Sequence, residues 1–359
     1  RRDIGGAAAG NGGMKPVSLT QKTGKLSNGF KFLIVIVCGG AALLLFGALF
    51  IVLGAERLTL QDVIKGLFRY DETDFNDVIV RDIRLPRLLA DVVVGASLAL
   101  AGAIMQGNTK NPMADSGLMG VSSGSVFAII VAMAFMPNIS RLERMGISCL
   151  GAGVATLLVY GIAMIGRRGH TAERMVLSGM AISTLFSSVT TGIVLKEGLS
   201  GELMKYTAGS SASTIWLDIR VAGPFFIAGV LLSLVIARSL TVMNLGEDVS
   251  TGLGANVKLI KLTSTVIVLV LSALAVIVIG PVGYIGLMIP HIVRPIVGTD
   301  YRYVLPASAV LGALLVVVVD IIARIVIAPL EFPVGILITM VGVPFFIFVS
   351  RRQRSDTFD

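Results

Sequence analysis

Charged residues are scarce in this chain. They make up only 14% of the 359 residues, whereas 55% of the residues are apolar and the mean hydropathy is +0.88. A soluble domain averages about 25% charged residues, so the few charges here could not cover so large an apolar core. The composition therefore excludes a soluble enzyme, and it equally excludes an intrinsically disordered chain.

Residues that commonly build active sites are also few. The two histidines, His170 and His291, cannot assemble a histidine-based metal site. The two cysteines, Cys38 and Cys149, lie in or beside apolar runs, which is typical of small packing residues and not of a disulfide framework. No phosphate-binding glycine loop and no catalytic triad order are found. We therefore expect no catalytic activity and no bound metal in this chain.

Long apolar stretches are what the sequence does contain. A transmembrane helix needs about 20 mostly apolar residues, so the stretches predict an all-α, polytopic membrane protein with about ten transmembrane helices. They lie near residues 31–54, 88–106, 117–136, 146–165, 174–195, 220–238, 259–279, 282–297, 304–323 and 333–350. The eighth stretch is crowded with glycine and proline, which a membrane tolerates only where neighbouring protein satisfies the freed backbone groups.

The flanking segments predict the topology. We expect an N-terminal tail over residues 1–29, a transmembrane domain over 30–351 and a C-terminal tail over 352–359. Because Met14 is a candidate natural start, we expect residues 1–13 to be an addition. Lysines and arginines are more numerous in the loops on the side of the N-terminus, which predicts that both termini are cytoplasmic.

Small residues recur at helical spacing in several stretches. Gly95, Ala99 and Ala103 share one face of the second stretch, and Gly120 and Gly124 lie in the third. Helices in lipid associate through close backbone approach at such positions. The pattern predicts a tightly packed bundle.

Two pairs of opposite charges lie within or beside apolar stretches. Arg87 and Asp91 are four residues apart, as are Asp320 and Arg324, so each pair is predicted to close on one helix face. Such pairs are either neutralised ions near the lipid headgroups or part of an external docking surface. A proton relay is less favoured, because each acid has a cation at hand.

The fifth stretch is rich in hydroxyl groups, which either form hydrogen bonds between helices or line a wide, uncharged passage. Its polar residues are Ser178, Ser183, Thr184, Ser187, Ser188, Thr190 and Thr191.

The loop between the sixth and seventh stretches predicts a short helix. Asn244 is a candidate N-cap, and Gly252 and Gly254 could end the helix. Val249 and Leu253, four residues apart, would share one face. A short amphipathic helix without a core needs something to pack against, either the membrane surface or a partner protein.

Several short motifs occur in order along residues 31–350. They are Arg84-Leu-Pro-Arg87, the run from Gly95 to Gln106, Asn111-Pro-Met-Ala114, Gly120-Val-Ser122, Leu245-Gly-Glu247 with Gly252-Leu-Gly254, the run from Gly280 to Arg294, Asp320-Ile-Ile-Ala-Arg324 and Glu331-Phe-Pro-Val-Gly335. With these motifs the chain resembles the FecCD-type permeases of ABC importers for iron–siderophores, haem and vitamin B12.

The resemblance implies a transporter built from several subunits. Two permease subunits, identical or different, would enclose one pathway in the bacterial cytoplasmic membrane. Two ATP-binding subunits would hold ATP and Mg²⁺, and a substrate-binding lipoprotein or periplasmic protein would deliver the cargo. Ferric siderophore is the expected cargo, with haem and cobalamin as alternatives.

The resemblance also implies roles for individual residues. Coupling to the ATPase is implied for Leu245, Gly246, Glu247, Gly252, Leu253 and Gly254. Outward-facing contacts to acidic residues of the binding protein are implied for Arg84, Arg87 and Arg324. Lining of the pathway is implied for Ser178, Ser183, Thr184, Ser187, Thr190 and Thr191, and residues 201–213 resemble a gate helix and turn.

Two other functions are compatible with the composition. An ion-coupled secondary transporter would want an unpaired carboxylate in the membrane and inverted halves. A structural or sensory membrane subunit would not need the hydroxyl-rich stretch.

Overall fold

The computed structural model describes residues 27–54, 58–136, 138–164, 172–326 and 331–355, and within these ranges the regular structure is entirely helical. The predicted tails therefore lie mostly outside the described residues. The α-helices are α1 (Asn28–Val52), α2 (Leu60–Phe68), α3 (Phe75–Val78), α4 (Leu85–Thr109), α5 (Val121–Phe135), α6 (Arg141–Met164), α7 (Ala172–Glu197), α8 (Ser200–Thr207), α9 (Trp216–Met243), α10 (Glu247–Gly252), α11 (Val257–Ile279), α12 (Ile285–Val297), α13 (Tyr301–Val326) and α14 (Val334–Ser355). A π-helical turn, Ile79–Arg84, joins α3 to α4.

Each of the ten predicted stretches forms a helix, which confirms the all-α prediction. Among the described residues, eight helical segments are long and apolar enough to cross a membrane, and α5 and α12 are shorter apolar helices. The last helix continues to Ser355, beyond the predicted boundary at residue 351.

The glycine- and proline-rich eighth stretch gives the shortest of these ten helices. At 1.5 Å per residue, the 13 residues of α12 span about 20 Å, less than the roughly 30 Å of a bilayer core. The preceding turn has Gly280 at φ +86° and Tyr284 at φ +69°. Gln106 of α4 donates a hydrogen bond from its side-chain amide to the carbonyl of Gly286, 3.1 Å away, so protein supports the start of the helix.

The most deeply buried span includes α4, which packs against α9, α11, α12 and α13. Its glycines allow the backbones to touch. A Cβ on Gly95 would lie 2.2 Å from the carbonyl oxygen of Gly312, and a Cβ on Gly102 would lie 2.0 Å from that of Gly286. Gly124 meets Gly151 of α6 in the same way. The prediction of close small-residue packing is confirmed at these positions.

Contacts between chain turns define the two ends of the bundle. At the α10 end, the Thr241 hydroxyl lies 3.0 Å from Asp300 and accepts a hydrogen bond from the backbone N–H of Tyr301. The start of α1 also lies at this end, because Asn28 is packed beside Gly298. At the opposite α8 end, the N–H of Gly335 donates to the carbonyl of Gly209. Helix α14 therefore begins at the α8 end and runs back towards the start of α1.

Candidate functional site

The segment predicted to couple to the ATPase, Leu245–Gly254, is called the coupling segment below and contains the predicted short helix as α10. Gly246 before the helix has φ +123° and Gly254 after it has φ +81°, conformations that favour glycine over residues with a side chain. The predicted cap is wrong in detail. Asn244 donates its side-chain amide back to the carbonyl of Leu240 at 2.8 Å, and Gly246 occupies the N-cap position of α10.

One side of α10 is anchored to the bundle. The buried hydroxyl of Ser250 lies 2.9 Å from the carbonyl oxygen of Val242, and the Ser250 carbonyl accepts the N–H of Ala255. The three apolar side chains of the segment, those of Leu245, Val249 and Leu253, are between 51% and 66% exposed. The segment thus presents an apolar ridge that no described residue covers.

Glu247 fixes the first turn of α10 to α11. Its carboxylate accepts a hydrogen bond of 2.5 Å from the ammonium of Lys261, and this bond lowers the pKa of Glu247. The negative charge also lies at the helix N-terminus, where the backbone N–H groups favour it.

An arginine–carboxylate cluster lies at the α8 end and consists of Arg87, Asp91, Asp320, Arg324 and Glu331. Arg87 donates two hydrogen bonds to Asp320, of 2.8 and 2.7 Å, and one of 2.7 Å to Glu331. The predicted pair of Asp320 and Arg324 is present at 3.1 Å. The predicted pair of Arg87 and Asp91 is wrong, because the close packing of α4 on α13 offers Arg87 a better-placed carboxylate.

Asp91 is fully buried at the centre of this cluster. It faces Asp320, Arg87 and Arg324, and neither of its oxygens accepts a hydrogen bond from an N–H group of the described residues. In the whole cluster, the two guanidinium groups are outnumbered by the three carboxyl groups.

The three arginines predicted for docking are only 5–8% exposed in this structure. Arg84 donates to the carbonyls of Ile51 and Val52 at the end of α1, Arg87 binds the carboxylates described above, and the Arg324 guanidinium lies over the ring of Phe50. All three lie at the α8 end and have intramolecular partners in this structure. Their docking role stays a prediction.

The hydroxyl groups of α7 do not share one environment. Ser178 and Thr190 are buried, Ser183 lies 3.1 Å from the hydroxyl of Ser123 on α5, and Thr184, Ser187 and Thr191 are exposed. Ser178, Thr184, Ser188 and Thr191 donate to the carbonyl four residues earlier, which keeps them satisfied on an apolar helix.

One side of α7 is left uncovered by the described chain. Its exposed side chains mix hydroxyls with apolar groups, among them Leu177, Thr184, Leu185, Ser187, Val189, Thr191 and Leu195. Such a surface can pack against another protein or line a passage. The assignment of these residues to a pathway stays a prediction.

Sequence reasoning missed a polar cavity at the α8 end. Arg141, Arg144 and Tyr206 line it together with the N-terminal part of α9. The only signal in the sequence was a pair of arginines at the start of the fourth stretch.

Comparison with known proteins assigns the family. Residues 42–352 match the model of the FecCD transport family. The chain is 42% identical over 322 residues to the iron(3+)-hydroxamate import system permease protein FhuB of Bacillus subtilis, covering 89% of this chain and 84% of that protein. It is 37% identical over 302 residues to the Fe(3+)-citrate import system permease protein YfmD of the same organism, covering 84% and 90%.

A solved structure has the same fold. It is described as an inward-facing conformation of a metal-chelate type ABC transporter, and it matches 89% of this chain and 99% of its own with a TM-score of 0.78 at 24% identity. The chain therefore belongs to the FecCD transport family, whose members are membrane permease subunits of ABC importers.

Proposed function

We propose that this chain is one of two permease subunits that enclose the translocation pathway of an ATP-driven importer of ferric siderophores. An extracytoplasmic binding protein delivers the cargo, and two ATPase subunits bind ATP and Mg²⁺. The names of the relatives above, which are permeases for ferric hydroxamate and ferric citrate, support this cargo class. Haem and cobalamin remain alternatives.

The observation that carries the proposal is the apolar ridge of the coupling segment. Leu245, Val249 and Leu253 project from a segment that Ser250 and the ion pair of Glu247 with Lys261 hold against the bundle. A ridge that is rigid on one side and uncovered on the other suits a cleft in an ATPase subunit. Motion of the ATPase would then reach α9 and α11 directly.

The proposal also assigns each end of the bundle to one side of the membrane. If the α10 end is cytoplasmic, α1 begins and α14 ends on the cytoplasmic side of the bacterial cytoplasmic membrane, as the distribution of basic residues predicts. The α8 end, with the arginine–carboxylate cluster, then faces the binding protein.

ATP can shift the transporter from one conformational state to another only if it binds the two states with different affinities. ATP and the docked binding protein must each favour one arrangement of the bundle over the other. The exposed side of α7 bears hydroxyl and apolar groups and, over Leu177–Leu195, no charged side chain, which suits the passage of a bulky chelate that should not be held.

Reconstitution tests the proposal. Proteoliposomes containing this chain, its second permease subunit and the ATPase, supplied with the binding protein, should take up a ferric hydroxamate only when ATP is inside the vesicles. Parallel assays with ferric citrate, haem and cobalamin define the cargo. Uptake that persists without the ATPase under an ion gradient would instead identify a secondary transporter, and uptake of haem or cobalamin alone would exclude the siderophore.

A further inference from the structure

A partly enclosed cavity of about 290 Å³ lies at the α8 end. Its walls come from the starts of α6 and α9, from α8, from residues 210–213 and from the end of α11. None of its lining residues belongs to the coupling segment, to the arginine–carboxylate cluster or to the hydroxyl groups of α7. Its volume is at the low end for small-molecule sites, too small for a bulky chelate.

Most of the charges that line the cavity are already paired. Arg141 binds both oxygens of Asp218 and also donates to the carbonyl of Ser213 at 2.7 Å. Lys205 donates to Glu202 at 2.9 Å. The charges within each of these two ion pairs cancel, so the pairs themselves add no net charge to the lining.

Arg144 adds a charge that no carboxylate among the described residues neutralises. Among the described residues, its guanidinium is within hydrogen-bond distance only of the Tyr206 hydroxyl, at 3.3 Å. Its Nε atom is buried and has no partner in the described part of the chain. Leaving a buried N–H of a charged group without an acceptor is costly, so the cavity is short of an acceptor.

A second polar group without a partner lies one helical turn away. Ser148 lines the same cavity, is 1% exposed, and its hydroxyl has no partner among the described residues. Because residues four apart share a helix face, Arg144 and Ser148 both line the cavity from the same side of α6. The Tyr206 hydroxyl on α8 is a third possible donor.

A guanidinium with two hydroxyl groups on the same cavity is a set of donors suited to an oxyanion. A guanidinium binds carboxylate and phosphate oxygens through paired N–H groups, and the Ser148 and Tyr206 hydroxyls would donate to the remaining oxygens. We propose that Arg144, Ser148 and Tyr206 bind one phosphate or carboxylate group, which belongs either to a lipid headgroup at this face of the membrane or to a small soluble anion. The bound group bridges α6 and α8.

The soluble source is tested by thermal unfolding of the full-length chain in neutral detergent. Inorganic phosphate should raise the Tm saturably when chloride is adjusted to constant ionic strength. The variant Arg144→Gln should weaken the apparent affinity at least tenfold, and Arg144→Lys should weaken it too, because a lysine keeps the charge but not the paired N–H groups. Arg220→Gln is the matched control, because Arg220 is an exposed arginine near the start of α9 that does not line the cavity.

The lipid source is tested by native mass spectrometry of the same proteins after incubation with phosphatidylglycerol or with diacylglycerol, which lacks the phosphate. A lipid source predicts that the wild type and Arg220→Gln retain phosphatidylglycerol, whereas Arg144→Gln does not. Should Arg144→Gln fail to fold, Ser148→Ala and Arg144→Lys provide the same comparison. If neither phosphate nor phosphatidylglycerol distinguishes the cavity variants from Arg220→Gln, the site does not exist.

Discussion

Arg87 of α4 binds Asp320 of α13 through two parallel hydrogen bonds, and it does not bind Asp91 one turn along its own helix. The guanidinium therefore joins two helices instead of stabilising one. This choice of partner divides the two buried aspartates into one that holds both arginines and one that holds neither.

Replacing these two aspartates should have unequal effects. Asp320→Asn leaves the charges of Arg87 and Arg324 buried without their shared carboxylate, and breaking such a pair costs about 3 kcal/mol or more. Asp91→Asn removes a carboxylate that accepts no hydrogen bond in the described structure. We expect Asp320→Asn to lower the Tm in detergent markedly and Asp91→Asn to leave it unchanged or raised. Equal losses would show that Asp91 also holds an arginine.

Glycine substitutions test the packing of α4. Gly102→Ala should severely destabilise the chain, because its Cβ would lie 2.0 Å from the carbonyl oxygen of Gly286. Gly153→Ala is the matched control in the interior of α6, where an added Cβ meets nothing within 4 Å. There alanine is expected to be neutral or to stabilise by about 0.5–1 kcal/mol. The yield of folded protein and the Tm provide the measurement.

A charge on the apolar ridge should uncouple the transporter. Leu253→Asp places a carboxylate where we propose that an ATPase cleft covers the side chain. We expect the binding protein to lose its stimulation of ATP hydrolysis and uptake to fall at least tenfold. Leu60→Asp is the control, because Leu60 at the start of α2 is 68% exposed, close to the 66% of Leu253, and has no assigned role. Normal stimulation in Leu253→Asp would remove the coupling segment from its assigned role.

The titration of Glu247 should depend on Lys261. The ammonium of Lys261 holds the pKa of Glu247 below its ordinary value of about 4.3. The ion pair therefore makes its full contribution to folding stability above the ordinary pKa. This contribution is lost as the pH falls through the lowered pKa of Glu247. In Lys261→Met the pKa of Glu247 should return upward, which carboxyl-carbon NMR can follow, with Glu247→Gln to assign the signal. An unchanged midpoint would mean that the two groups do not interact in solution.

Docking of the binding protein should require the arginines at the α8 end. If acidic residues of the binding protein draw Arg84 and Arg324 away from their internal partners, Arg84→Glu with Arg324→Glu should weaken binding to the assembled transporter at least tenfold. Arg69→Glu, a change of an exposed arginine in the loop after α2, should not. Because both arginines are buried, the Tm of each variant must be measured as well. Normal affinity in the double variant would refute the assignment.

The helices were predictable from the sequence because apolar length alone decides whether a segment can cross a bilayer. The glycines and prolines of the eighth stretch likewise indicated that its helix, α12, would be irregular. Glycine spacing likewise predicted the contacts of Gly95 and Gly124, since small residues in lipid have few other uses.

The polar partners were not predictable in the same way. Spacing along one helix places Arg87 beside Asp91, but the actual partner, Asp320, is 233 residues away in the chain. Arg144 meets Tyr206 only because the fold brings α8 within reach of the start of α6. Such relationships depend on how helices are arranged in three dimensions, and a hydropathy pattern carries no information about that arrangement.

The uncovered ridge on the coupling segment also has a consequence for the cell. The exposed side chains of Leu245, Val249 and Leu253 together form an apolar patch that favours association with other proteins. If an ATPase subunit covers this ridge as proposed, a copy synthesised in excess of the ATPase would expose it and become prone to aggregation or to removal by quality-control proteases. Under the proposed function, the cell therefore has to produce the permease and the ATPase in matching amounts to keep this ridge covered.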